Sequence, residues 1–120
     1  MNSALQQELT QYPEQIAQLQ KDILRKDQQI RAVENQIEPM ILEAEKTAYF
    51  DIELKNESQR KIRRAEILET SAYLEAQQTF EQLKDERAEL LIRLEHARNR
   101  FSVAKLQMKA YIASLESEQF

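Results

Sequence analysis

Between Tyr73 and Leu115 the sequence returns to one helical face every three and four residues in alternation. The positions are Tyr73, Ala76, Phe80, Leu83, Arg87, Leu90, Leu94, Ala97, Phe101, Ala104, Met108, Tyr111 and Leu115. Only Arg87 among them is charged. A repeat averaging 3.5 residues nearly matches the 3.6-residue turn of an α-helix, so six heptads of it keep one face against a partner. Such a helix is roughly 65 Å long and cannot bury its apolar face alone. What covers that face is therefore the first question the rest of the chain must answer.

A second seam supplies the answer. Leu5, Leu9, Tyr12, Ile16, Leu19, Ile23, Lys26, Ile30, Val33, Ile37, Met40 and Ala44 follow the same spacing. Ser3 with Gln6 has the form of a capping box, and Pro13 reads either as a kink or as an early turn of a helix capped by Thr10. The reading taken is a start near Thr10. Pro39 removes a backbone donor and crowds the carbonyl of Asn35. Because the spacing continues through Met40, Ile41 and Ala44, a kink fits better than a stop.

Past Thr47 the pattern loses phase. Tyr49, Phe50, Ile52 and Leu54 nearly alternate, but a lone strand has no partner here, so a frayed helix end and turn is expected. Asn56 with Gln59 forms a new capping box, opening a short helix with Ile62, Ala65 and Leu68 on its inner face. Thr70 and Ser71 then cap the next start, near Ala72. The expectation is an all-α fold: an antiparallel coiled-coil hairpin of two long helices, about 10–47 and 72–117, joined by a short helix at about 57–69. Together they make a single elongated domain spanning 1–120.

Both seams match along their length if facing residue numbers add to about 120, which pairs Leu19 with Phe101 and Val33 with Arg87. A slip of one heptad sets Lys26 against Arg87, and the repulsion argues against it.

Composition narrows function. The chain has no Gly, so phosphate-cradling loops and dinucleotide-binding turns, which need positive φ or close backbone approach, are not expected. Without Cys there are no disulfides or thiolate metal sites. His96 is the one histidine, and Arg93 stands where a carboxylate-bridged metal site on bundled helices would carry Glu. No catalytic grouping, cofactor or metal is expected, and the chain reads as a non-enzyme. The amino terminus, MNSALQQELTQYPEQ, has no basic start or apolar middle, and no membrane-length apolar run follows, so a cytoplasmic protein with no membrane partner is expected.

Charge is uneven around a net −4. Arg60, Lys61, Arg63 and Arg64 lie close to Glu57, Glu66 and Glu69 and read as a salt-bridged face. Arg93, Arg98, Arg100, Lys105 and Lys109 have fewer local acids and are candidates for contact with an anionic partner, including nucleic acid. On the side of the third helix away from its seam, Ile92, His96, Asn99, Val103, Leu106, Ala110 and Ala113 form a second line. Its apolar members, Ile92, Val103, Leu106, Ala110 and Ala113, are the candidate face for a homodimer or a higher even-numbered assembly.

The stretch LKNESQRKIRRAEIL, followed by Tyr73 and by ARNRFSVAKLQ from Ala97 to Gln107, resembles small helical proteins encoded by phages and prophages. In those an Asn-Glu-x-Gln-Arg turn separates two long helices. Where that pattern carries Asp-Pro before the tyrosine, this chain has Ser71 and Ala72. The resemblance implies an accessory factor that works by assembly or partner binding. Two other readings stand beside it: a nucleic-acid or recombination accessory protein using 93–109, and a prefoldin-like chaperone subunit, which requires β-hairpins between Tyr49 and Ser71.

Overall fold

The structure, a computed structural model, describes residues 3–118. Its elements are three helices, α1 (Ser3–Tyr49), α2 (Glu57–Leu68) and α3 (Ser71–Glu118), and the described residues contain no strand. The fold is all-α. Contacts group the chain into two compact units, one of the residues up to Arg25 with those from Arg87 onward, the other of Lys26–Glu86.

The helix boundaries follow from local chemistry, with one correction. α1 does not wait for Thr10: it is already helical at Ser3 and runs through both Pro13 and Pro39. The Thr10 hydroxyl donates to the Gln6 carbonyl one turn back (3.0 Å), as a residue inside a helix does, instead of capping a new start. An interior proline costs about 3 kcal/mol. The unbroken seam on either side offsets that cost through packing.

After Tyr49 the chain turns as the loss of phase predicts. Phe50 N–H closes the last turn on the Lys46 carbonyl (3.0 Å), and Asp51 Oδ1 accepts from Glu53 N–H (3.0 Å), a local Asx turn. Asn56 caps α2, its Oδ1 accepting from Gln59 N–H (2.9 Å). The Gln59 side chain reaches back one residue further than in the usual box, to Lys55 N–H (2.6 Å). Thr70 caps α3, with its Oγ1 accepting from Tyr73 N–H (3.3 Å) and its carbonyl from Leu74 N–H (3.0 Å). Among the described residues none has a positive φ, so both turns are made without the backbone geometry that glycine favours.

Every position of the α1 seam is buried or half-buried, and so is every position of the α3 seam except Leu115. Among the described residues the buried apolar ones are Ile23, Ile37, Ala44, Ala48, Leu94, Ala97 and Ala104, four of them alanines, and no large side chain is fully buried. Small residues let helices approach closely but remove little area from water. The core is consequently thin.

Two contacts between α1 and α3 depart from the expected register. In one unit Arg100 Nε donates to Tyr12 Oη (3.3 Å), and in the other Lys26 is bonded to Glu86. Both pairs have residue numbers that add to 112, not 120. A sum of 120 would set Tyr12 beside Met108, eight residues or about 12 Å along α3 from Arg100. The repulsion between Lys26 and Arg87 fails as an objection because Glu86, flanking the seam, takes the lysine, and Arg87 is not left without a partner of its own.

The second correction concerns α2. Ile62 and Ala65 are exposed, while Arg60, Arg64, Ile67 and Leu68 are the half-buried positions. Leu68 lies on the inner face as expected, but beside it stand Arg60, Arg64 and Ile67 in place of Ile62 and Ala65.

Candidate functional site

Two surfaces carry the residues singled out above. The first is α3 away from its seam. Ile92, Val103 and Leu106 are exposed, Leu106 at 64%, and Ala110 and Ala113 are exposed with them. At about 100° per residue these five fall within one side of the helix, opposite Ala97 and Ala104. Val103, Leu106, Ala110 and Ala113 follow one another on this side and face water, while Ile92 lies about 16 Å back along the helix and lines a cleft with Tyr12 and Leu19.

It does not bring the five basic residues together. Arg93 and Arg100 lie on one flank of the α3 seam, while Arg98, Lys105 and Lys109 lie on the other. Arg100 is engaged by Tyr12, a bond that holds its guanidinium above its ordinary pKa. Arg93 and His96 line an open cleft of about 530 Å³ with Tyr12, Leu19 and Asp22. Lys105 lies over the Phe101 ring, 4.5 Å from its centre. A single electropositive strip needs all five on one face, and these alternate about the buried line.

The second surface is where α2 meets the end of α1. Arg60 lies over the Tyr49 ring (5.4 Å), and Arg64 pairs with Glu45 (3.4 Å). With Lys46, Ala48, Phe50, Glu57 and Lys61 these residues line an open cleft of about 500 Å³. The Nε atoms of Arg60 and Arg64 are buried without an acceptor. The basic cluster is visible in the sequence, where its neighbouring glutamates suggest a neutralised face. That suggestion leaves out the four-residue spacing of Arg60 and Arg64, which sets both on the side of α2 that packs.

Between seams, Lys26 and Glu86 form a half-buried ion pair. The bond from Lys26 holds the Glu86 carboxyl below its ordinary pKa, against opposing desolvation and with a further bond from Gln82 (3.2 Å). Among the described residues no cluster of three His, Cys, Asp or Glu side chains is placed to hold a metal, and no helix is long and apolar enough to cross a membrane. The chain matches no family model, no curated protein and no solved structure.

Proposed function

We propose that this chain is a non-enzymatic coiled-coil protein of the phage-accessory kind, folded as an antiparallel hairpin of α1 and α3 and acting by homo-oligomeric assembly through the outer face of α3. The observation that carries this reading is the exposed line Ile92, Val103, Leu106, Ala110 and Ala113 on a protein whose own core is thin. A contiguous apolar stripe on a charged surface marks an interaction face, and its small residues admit a second helix closely. Covering Leu106 contributes about 1.5 to 3 kcal/mol. Val103→Glu with Leu106→Glu should convert the assembly to a monomer of unchanged helicity, as read by light scattering and circular dichroism. A wild-type protein already monomeric at micromolar concentration removes the proposal.

The hairpin has its own test. Contacts adding to 112 favour a facing of Leu19 with Leu94, one residue from that sum, over Leu19 with Phe101, so cysteines at Leu19 and Leu94 should crosslink within one chain while cysteines at Leu19 and Phe101 should not. The nucleic-acid reading is weakened by the division of the basic residues between two flanks. The prefoldin-like reading finds a turn and α2, not paired strands, between Tyr49 and Ser71.

A further inference from the structure

We propose that the cleft between α2 and the last turns of α1 binds an acidic peptide segment of a partner protein, one that carries apolar residues beside its carboxylates. This surface is separate from the outer stripe of α3, so the proposal does not depend on self-assembly.

The donor inventory comes first. A guanidinium has five N–H donors in a planar fork matched to a carboxylate. Arg64 has one ion pair, to Glu45 at 3.4 Å, and Arg60 has one long pair, to Glu57 at 3.9 Å. Their Nε atoms already sit out of water without an acceptor, so packing and not solvent holds both forks at the cleft. Side chains four residues apart on one helical face are neighbours about 6 Å apart at their Cβ atoms, a spacing that suits successive acidic side chains on an extended segment.

Charge comes second. Lys46 lies in the last turn of α1 and answers the partial negative charge of that helix end. Arg60, Lys61 and Arg64 remain, against Glu45 and Glu57, which are already paired with two of them. Lys61 is exposed on the cleft wall. With those two pairs made, the surplus on the cleft wall is one cation, Lys61.

The apolar lining comes third and decides against a bare anion. Tyr49 and Phe50 are mostly exposed, at 65% and 73%, and meet edge to face with ring centres 5.3 Å apart. Exposed rings beside fixed cations recognise a segment that offers both carboxylate and hydrocarbon. A phosphodiester backbone repeats its charge at every residue and would meet Glu45 and Glu57 among the cations, whereas a peptide can set its apolar residues beside those two glutamates. The volume, about 500 Å³, admits a few side chains.

The test uses the full chain and a fluorescein-labelled peptide of about ten residues alternating Glu with Leu and Phe, followed by anisotropy, with a Lys-for-Glu version and a single-stranded oligonucleotide as competitors. Saturable, salt-sensitive binding of the acidic peptide is expected. It should weaken about tenfold in Lys61→Glu, which is exposed and leaves the packing intact, and in Arg60→Gln. Arg63→Gln, whose side chain pairs with Glu66 at 3.3 Å and does not line the cleft, should bind as wild type. The proposal is overturned by no saturable binding, by equal binding of the Lys peptide, by an unaffected Lys61→Glu, or by an oligonucleotide that binds more tightly and is lost with Lys61→Glu. The last outcome transfers the cleft to nucleic acid.

Discussion

The long seams and the inner face of α2 solve the same problem with opposite materials. Along α1 and α3 the covered positions are aliphatic, aromatic or alanine, and the buried ones are small enough that helices approach closely. On α2 the covered positions include Arg60 and Arg64, which are half-buried with their Nε atoms out of water while their charged ends reach Tyr49, Glu57 and Glu45. A seam of the first kind removes area from water and tolerates no charge without a partner. A face of the second kind stays half in water, so it is weaker and keeps cations at the surface. The difference marks which part of the chain is built for holding together and which for presenting chemistry.

Truncation separates the two kinds most strongly. Leu94 is 6% exposed and Ile62 is 61% exposed, so the same aliphatic chemistry should give very different losses. Leu94→Ala is expected to lower unfolding free energy by about 2 to 5 kcal/mol, and Ile62→Ala by less than about 0.5 kcal/mol, in urea melts. Equal losses would mean that Ile62 is covered in solution.

Arg64→Ala sharpens the contrast from the other side. By residue type, Ile62 is the one expected to matter on α2. By burial it is Arg64, whose stem is packed although its ion pair with Glu45 is part-exposed and so contributes little. A loss of about 1 kcal/mol is expected, larger than for Ile62→Ala, and Arg64→Met, which keeps most of the stem, should recover the greater part of it. If Arg64→Met is as damaging as Arg64→Ala, the charge and not the stem is what α2 uses.

These contrasts explain what was legible in the sequence. The seams were, because apolar residues at alternating three- and four-residue spacing can be satisfied by little else, and every one of those positions except Leu115 is at least half-buried. The caps at Asn56 and Thr70 were legible as well, since a short polar side chain before a helical run has a local job. The start of α1 was misread because a proline and a threonine outweighed, locally, a seam that continues past them. Register is harder to read, because a comparison of facing residues leaves out the flanking ones, and Lys26 is bonded to Glu86, one step off the seam. On α2 the inner face is legible at Leu68 but not at Arg60 and Arg64, because apolarity by residue type does not register an arginine stem. Among the residues proposed for an anionic contact, the 100° step about the seam already divides Arg93 and Arg100 from Arg98, Lys105 and Lys109, so that division is legible in the sequence once the helix is continuous.

Glu86 gives the smallest effect and the most specific one. Its carboxyl accepts from Lys26 and Gln82, and the Lys26 bond holds it below the ordinary value of 4.5 despite partial desolvation. A carboxyl whose pKa is lower folded than unfolded contributes stability that is fully present above the unfolded value and is lost as pH falls through the folded one. Wild type should therefore melt slightly above Glu86→Gln at neutral pH, and the gap should narrow below about pH 4.5 and close in stronger acid, where the carboxylate is protonated in both states. High salt at neutral pH should shrink the same gap, because the pair is only half-buried and is screened. A gap that persisted unchanged into acid would show that Gln fails at this position through shape or hydrogen bonding and not through charge. Lys26 would then be retained at its seam position for its aliphatic stem, as Arg64 is on α2, and the distinction between an apolar seam and an arginine-built face would narrow to one of degree.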